Sequence, residues 1–254
     1  MIESREKAIS HRIAVLIDGD NAQASLIDKI LAEASKYGTV TIRRTYGDWT
    51  TPNMGGWKKT LQSYAIQPIQ QFRYTIGKNA TDSAMIIDAM DLLYSGVVDS
   101  FCLVSSDSDY TRLATRIREK GFFVVGIGQK KTPRSFVSAC DVFVYTENLV
   151  PRKPSPKKSV RKKSTKTIKE PTTPDPIPLL KQAFGIAMQD DGWAFLGTLG
   201  HHLRQLDPGF DARTYGHSQL SSLIRVYPKI FEVRDVKSDV GNSVIYIRLK
   251  TKTR

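Results

Sequence analysis

Short apolar runs alternate with longer amphipathic stretches along the first 150 residues of the chain. Runs rich in Val, Ile, Leu and Phe predict buried β-strands, while apolar positions three or four residues apart predict helices. The predicted strands cover residues 13–17, 40–46, 66–72, 101–104, 122–127 and 142–145, and the predicted helices cover residues 24–37, 54–64, 83–94 and 110–120. Strand and helix in turn are typical of a doubly wound α/β fold, in which helices cover both faces of a mostly parallel sheet.

A different pattern follows in the last third of the chain. Three helical segments come first, and two strand-like runs joined by a turn with Gly241 and Asn242 come after them. The helices are predicted at residues 179–188, 193–206 and 218–226, and the strands at residues 230–234 and 244–249. Three helices followed by a β-hairpin predict a small winged-helix domain of the α+β class.

Proline and basic residues dominate the segment between these two patterns. Residues 151–176 hold 9 Lys/Arg against 2 Asp/Glu, in a chain of 254 residues with a net charge of +13. Because the segment has almost no apolar side chains to bury, it predicts an extended, disordered linker. The linker is either a solubilising spacer or a tether that binds phosphates without reading sequence. The predicted organisation is a domain at residues 1–150, a linker at 151–176 and a domain at 177–254.

Several functional classes lack their sequence signatures. Neither GxxxxGK followed by Ser or Thr nor GxGxxG after the first strand occurs, which argues against a phosphate-binding NTPase and a dinucleotide oxidoreductase. Cys102 and Cys140 lack CxxC spacing and the histidines form no HExxH motif, so we expect two buried, reduced thiols and no zinc site. The charged start and the lack of an apolar run near 18 residues predict a cytoplasmic protein.

Aspartates occur where predicted strands end or helices begin. Asp18 closes the first strand, Asp82 opens the third helix, and Asp107 and Asp109 follow the fourth strand after two serines. In an open α/β sheet the carboxyl ends of the strands meet at one crevice, where gathered carboxylates would repel one another unless a hard cation neutralised them. The alternative is that single aspartates cap helices. Capping gives no reason for Asp18 within a strand-terminal motif, so the four together predict a divalent-metal site.

The motifs around these aspartates resemble those of NYN domains, which are relatives of the PIN-type nucleases. The similar segments are IDGDN at residues 17–21, GKNATD at residues 77–82 and VSSDSDY at residues 104–110. The resemblance implies a PIN-like fold and a metal-dependent endoribonuclease that uses Mg²⁺ or Mn²⁺. It makes Asp18, Asp82, Asp107 and Asp109 the catalytic and metal-binding residues, and it leaves the role of Asp20 open.

Four further residues near this crevice have two interpretations each. Asn21 either orients a metal-bound water or caps the following helix, and Lys78 either holds the scissile phosphate or is an exposed loop lysine. Thr81 and Ser105 either donate hydrogen bonds to the acids or cap helices. Asn21 and Lys78 are the candidates for substrate binding.

The C-terminal pattern resembles the OST-HTH or LOTUS domain. The similar segments are GWAFLGTLG at residues 192–200, Pro208 to Phe210, Tyr215 with Gly216, and LSSLI at residues 220–224. The resemblance implies binding of RNA or of a protein partner. The candidate RNA-binding side chains are Arg213, Arg225, Lys229, Lys237 and Arg248, with ordinary surface charge as the alternative.

These observations predict a metal-dependent ribonuclease that acts on single-stranded or structured RNA, helped by the linker and the C-terminal domain. The alternative is a noncatalytic RNA-binding or scaffold protein whose acidic crevice no longer cuts. In a third interpretation the C-terminal domain docks a protein partner, which then chooses the RNA.

Overall fold

A computed structural model describes residues 11–72, 80–150, 174–237 and 243–250 of the chain. By its internal contacts the chain divides into two compact units, with the boundary between Leu149 and Val150. Each unit has its own hydrophobic core. The predicted linker, apart from its last three residues, and Lys78 lie outside the described residues.

The first unit is built on a six-stranded parallel sheet, which confirms the predicted α/β fold. Its strands are β1 (Arg12–Asp18), β2 (Thr39–Gly47), β3 (Gln67–Gln70), β4 (Ser100–Val104), β5 (Phe123–Gly128) and β6 (Val142–Tyr145). They lie side by side in the order β3-β2-β1-β4-β5-β6. Because the order reverses between β1 and β4, the crevice in which such folds bind ligands is expected at the carboxyl ends of these two strands.

Helices cover both faces of this sheet. They are α1 (Ile27–Ala34), α2 (Gly55–Leu61), α3 (Ala80–Ser95), α4 (Thr111–Glu119) and α5 (Arg134–Ala139). Successive side chains of β1 point to opposite faces, so that Ala14 and Leu16 join one core cluster while Val15 and Ile17 join the other. The run from residue 13 to 17 is fully buried, because a central parallel strand has no solvent-facing side.

Some helices of this unit differ from the predictions. The predicted helix at residues 24–37 begins as a short 3-10 helix (Ala24–Leu26) and ends at Ala34, with Gly38 in a positive-φ conformation after it. Helix α5 was not predicted, because six residues are too few to show a helical period. It is held instead by tertiary packing of Phe136 and Val137 in the core.

The described residues of the second unit form three α-helices and a small antiparallel sheet, as predicted. The helices are α6 (Ile177–Ala187), α7 (Leu196–Leu206) and α8 (Leu220–Arg225), and the strands are β7 (Ala194–Phe195), β8 (Phe231–Lys237) and β9 (Ser243–Leu249). Strand β9 lies between β7 and β8. The two-residue β7 was predicted as part of a helix, because its apolar residues continue the periodicity of α7.

Both cysteines are buried free thiols, as predicted. Burial raises the pKa of each thiol, which keeps both protonated and unreactive. Among the described residues, no helix has the length and apolar character needed to cross a membrane.

Candidate active site

The loops after β1 and β4 meet at the carboxyl edge of the sheet, where the strand order reverses. The loop after β1 is fixed from below by Trp57, whose indole Nε1 donates to the carbonyl oxygen of Gly19 at 3.0 Å. A Cβ at Gly19 would lie 2.7 Å from the carbonyl oxygen of Tyr46. Only glycine therefore allows the loop to approach β2 this closely.

Asp18 lies at the centre of this edge and is fully buried. Its Oδ2 accepts hydrogen bonds from Asn21 Nδ2 at 2.7 Å and from Ser105 Oγ at 2.8 Å. Its Oδ1 accepts from the backbone amides of Asp20 and Asn21 at 3.2 and 3.3 Å. Burial raises the pKa of Asp18, the bonds from Asn21 and Ser105 lower it, and the charge of Asp82 raises it further. Asp18 is therefore a buried carboxyl group whose charged form is costly and is stabilised by four donors.

Asp82, Asp107 and Asp109 come together beside Asp18. One carboxylate oxygen from each of the three lies within 4.8 Å of the other two. Burial raises the pKa of Asp82 most, and the charges of Asp107, Asp109 and Asp20 raise it further. Three anions held this close favour a compensating cation at the same place.

Tyr110 holds the cluster in position from within the core. Its hydroxyl donates to Asp82 Oδ1 at 2.7 Å and is itself fully buried. Burial first, and then the neighbouring carboxylates, raises the pKa of Tyr110, so the hydroxyl keeps its proton and remains a donor. Asp107 accepts from the backbone amide of Asp109 at 3.0 Å and so caps the short 3-10 helix Ser108–Tyr110. Asp107 therefore both caps this 3-10 helix and belongs to the acidic cluster.

Asp20, whose role the resemblance left open, lies close to the acidic cluster. Thr81 Oγ1 donates to Asp20 Oδ2 at 3.0 Å, and the charge of Asp20 contributes to the raised pKa of Asp82. Thr81 therefore bonds to Asp20 and not to the four principal acids, while Ser105 bonds to Asp18 as expected. The contact between Thr81 and Asp20 joins the loop after β1 to the first turn of α3.

The chemistry of these donors fits a hard divalent cation. Asp82, Asp107 and Asp109 offer only carboxylate oxygens, the ligands that Mg²⁺ and Mn²⁺ prefer. The charge of Asp82 raises the pKa of Asp18, but Asp18 is not one of the three, and a metal bond from Asp18 would have to replace one of its four hydrogen bonds. Its predicted role as a ligand stays a prediction.

The remaining predicted site residues have the following places. The side chain of Asn21 bonds to Asp18, an arrangement distinct from helix capping. Arg213 forms an ion pair with Asp211, and Arg225 forms one with Asp235. Lys229 is exposed. Arg248 pairs with Glu232 and lies over the ring of Trp193, 4.7 Å from its centre.

Comparison with known proteins identifies chains that are similar to part of this one. The chain is 28% identical over 136 residues to an uncharacterized protein of Methanocaldococcus jannaschii, a match that covers 50% of this chain and 51% of the relative. The chain thus spans about half the length of that curated relative. A crystal structure of a Vibrio parahaemolyticus protein of unknown function matches 54% of this chain and 93% of its own, with 20% identity and a TM-score of 0.45. A solution structure of an uncharacterized Nitrosomonas europaea protein matches 39% and 96%, with 27% identity and a TM-score of 0.30.

Two family models match the chain. The model of the OST-HTH/LOTUS domain matches residues 168–242, and the model of the NYN domain matches residues 12–147. The NYN match spans the sheet, Asp18 and the three clustered acids. The chain belongs to the NYN domain family and carries an OST-HTH/LOTUS domain after its NYN domain.

Proposed function

We propose that this protein is a metal-dependent endoribonuclease that hydrolyses RNA phosphodiester bonds at the carboxyl edge of its NYN domain. The observation that carries the proposal is the convergence of Asp82, Asp107 and Asp109 within 4.8 Å of one another. Asp18, buried beside them, adds a fourth negative charge. Four neighbouring carboxylates destabilise a fold through their repulsion, and binding of a divalent ion would explain why they are placed together.

Asp82, Asp107 and Asp109 would hold Mg²⁺ or Mn²⁺, with Asp18 completing the negative charge of the site. When bound, such an ion draws electron density from a phosphate oxygen and lowers the pKa of water, which makes hydrolysis without a protein nucleophile feasible. The family membership of the first unit supports this class of chemistry.

The residues around the acids have separate tasks in this proposal. Ser105 and Asn21 orient the carboxylate of Asp18, and Tyr110 fixes one oxygen of Asp82 so that the other stays available. Because these donors are packed into the fold before RNA arrives, the acids need little reorganisation on binding. Lys78, which lies outside the described residues, is proposed to hold the scissile phosphate.

The C-terminal unit and the basic linker are proposed to bind RNA or a protein partner. The OST-HTH/LOTUS match and the exposed side chain of Lys229 support this assignment. Arg213 and Arg225 would have to loosen their ion pairs with Asp211 and Asp235 to contact phosphate. The pair of Arg225 with Asp235 is exposed and therefore weak, so a phosphate can compete for Arg225, whereas the pair of Arg213 with Asp211 is partly buried.

Cleavage of labelled RNA by the full-length protein, with and without Mn²⁺, tests the proposal. We expect Asp18→Asn, Asp82→Asn and Asp107→Asn to abolish cleavage while most RNA binding remains, because asparagine keeps the size but removes the charge that a hard ion needs. Asp91→Asn is the matched control, since it removes the same charge from the exposed side of α3, the helix that carries Asp82.

The products of the reaction discriminate between mechanisms. Hydrolysis by water should leave a 5′-phosphate and a 3′-hydroxyl, and a circular RNA without ends should be cut as well as a linear one. A 2′,3′-cyclic phosphate, or activity that survives both EDTA and Asp18→Asn, would refute the proposal. Wild-type protein that binds RNA under all metal conditions but never cuts it would instead indicate a noncatalytic RNA-binding protein.

A further inference from the structure

A tight turn with two lysines is bonded to the loop that carries Asp107. It covers residues 129–132 and follows β5, the strand next to β4 in the sheet. One hydrogen bond connects the loop that carries Asp107 to the end of β5, and a second connects it to the turn. The amide of Ser105 donates to the carbonyl oxygen of Ile127 at 3.0 Å, and the amide of Gln129 donates to Ser106 Oγ at 2.8 Å.

The turn has a well-defined conformation. Thr132 donates to the carbonyl oxygen of Gln129 through its amide at 2.9 Å and through its hydroxyl at 2.6 Å. The carboxylate of Glu147 accepts from the amide of Lys130 at 3.0 and 3.1 Å. A Cβ at Gly128 would lie 2.4 Å from the carbonyl oxygen of Ser105, so only glycine allows the two loops to come this close. The fold therefore places the lysines at a fixed position relative to the acids.

Both lysines of the turn are exposed and available for a ligand. Within the described part of the chain, neither the Lys130 nor the Lys131 ammonium group takes part in an ion pair or a side-chain hydrogen bond. The nearby Glu147 is a partial counter-charge, but its oxygens accept from the backbone amide of Lys130 and from Thr146 Oγ1. Two adjacent, unpaired positive charges remain at the rim of the site.

A narrow cleft lies between the loop after β1 and the residues that precede the two lysines. Its lining includes Asn21 and Ser105, which both bond to Asp18, together with Gly128 and Gln129, which lead into the turn. Residues that bond to Asp18 and residues that lead into the turn therefore line the same cleft. With one phosphate of a polyanion at the acids, the turn is placed to meet a neighbouring phosphate, since it is bonded to the loop that carries Asp107.

We propose that Lys130 and Lys131 bind backbone phosphates of the RNA strand next to the phosphate that is cut. This assignment rests on the proposed function, since it takes RNA as the ligand of the acidic site. Compact ammonium charges on flexible side chains suit phosphates and carry no base specificity. The turn would fix the register of the strand across the acids, and with it the position of the cut.

RNA binding measured by fluorescence anisotropy over a series of salt concentrations tests this assignment. The full-length protein is used with a labelled single-stranded RNA in EDTA, so that no cleavage is needed for the readout. For Lys130→Gln with Lys131→Gln we expect a several-fold weaker affinity and a salt slope that is smaller by about 1.4, the value for two lost contacts with single-stranded phosphates. Lys130→Arg with Lys131→Arg, which keeps the charges, should retain the slope.

The matched control is Lys58→Gln with Lys59→Gln. These residues are also adjacent and exposed, but they lie in the last turn of α2. We expect this control to change the slope little. An equal fall in both double variants would mean that the slope reports overall charge, and it would overturn the assignment. The assignment would also be overturned if the Lys130 and Lys131 variant unfolds at the same temperature as the wild type and keeps the wild-type salt slope.

Failure of this inference can be told apart from failure of the proposed function. If the Lys130 and Lys131 double variant shows the expected smaller salt slope in EDTA but the wild type never cuts RNA, the phosphate contact is kept and the nuclease is refuted. Protein that cuts RNA through its aspartates, with a slope that does not depend on the two lysines, would refute the phosphate contact alone. Wild-type protein that binds an acidic peptide but no RNA would refute both.

Discussion

The hydroxyl of Tyr110 makes a measurable contribution to stability, and Tyr110→Phe isolates it. The substitution leaves the buried ring in its contacts, among them Phe136 with ring centres 6.3 Å apart, and removes only the oxygen that donates to Asp82. A hydrogen bond to a charged group contributes about 1.5–3 kcal/mol. Because Asp82 is only partly buried, water can replace part of the bond, and we expect a loss near the lower end, roughly 1.5 kcal/mol.

Urea unfolding at pH 7 in EDTA measures this loss without any contribution from bound metal. For a protein of this size the same loss corresponds to a fall in Tm of roughly 3–6 °C. Tyr64→Phe is the control, since the hydroxyl of Tyr64 has no hydrogen-bond partner among the described residues. Its effect should stay within about 0.5 kcal/mol, as is usual for substitutions that break no specific contact.

The effect of Tyr110→Phe should also depend on pH. Burial and neighbouring charges raise the pKa of Asp82, while the bond from Tyr110 lowers it. Once Asp82 takes up a proton at low pH, the bond joins two neutral groups and contributes only about 0.5–1.5 kcal/mol. The difference between variant and wild type should therefore shrink as the pH falls towards 4. A difference no larger than that of Tyr64→Phe, or one that is the same at pH 7 and pH 4, would refute this account of the site.

Two further predictions concern the whole chain. Because the pKa values of folded Asp18 and Asp82 are raised above the unfolded value of about 3.9, the folded state binds more protons above that pH, and stability in EDTA should fall as the pH rises from about 4. Asp18→Asn should reduce this dependence of stability on pH in urea unfolding, and an unchanged dependence would contradict the burial of Asp18. Asp99 does not interfere, because Arg12 lowers its pKa, so that it changes the pH dependence of stability only below about pH 4. Replacing residues 151–176 by a neutral Gly/Ser spacer of equal length should weaken RNA binding and flatten its salt dependence, because 9 basic side chains are lost. If RNA binding by this variant has the same salt dependence as that of the wild type, the linker is only a spacer.

The sheet could be predicted from sequence because its strands are central and buried. Runs such as residues 13–17 and 101–104 are continuously apolar, and that pattern follows from burial on both faces. The edge strand β3 is the least accurate case, since it was predicted at residues 66–72 and covers Gln67–Gln70. An edge strand with exposed polar residues gives a weaker pattern, and its ends depend on pairing with β2.

The positions of the acids could be predicted from the sequence, but the side chains that donate hydrogen bonds to them could not. Asp18 and Asp107 follow apolar strands, and the topology of a parallel sheet brings the ends of those strands together. The bond from Ser105 to Asp18 spans 87 positions, and the one from Thr81 to Asp20 spans 61. Such pairs leave no local pattern in one sequence. Tyr110 reads as an ordinary core residue, since its apolar ring follows helical periodicity and only its distance to Asp82 reveals the second role.

The donors that hold the acids come from different parts of the fold, and this explains how a repulsive cluster is tolerated. Asn21 lies after β1, Ser105 after β4, and Tyr110 before α4. Asn21 bonds to Asp18 within one loop, but Ser105 cannot reach Asp18 until β1 and β4 have paired, and Tyr110 cannot reach Asp82 until α3 has docked on the sheet. The acids are therefore brought together only in the complete fold, where core packing offsets their repulsion. The same dependence predicts that loss of a donor acts on stability and on the geometry of the acids together, which is why the Tyr110 variant is best measured first without metal.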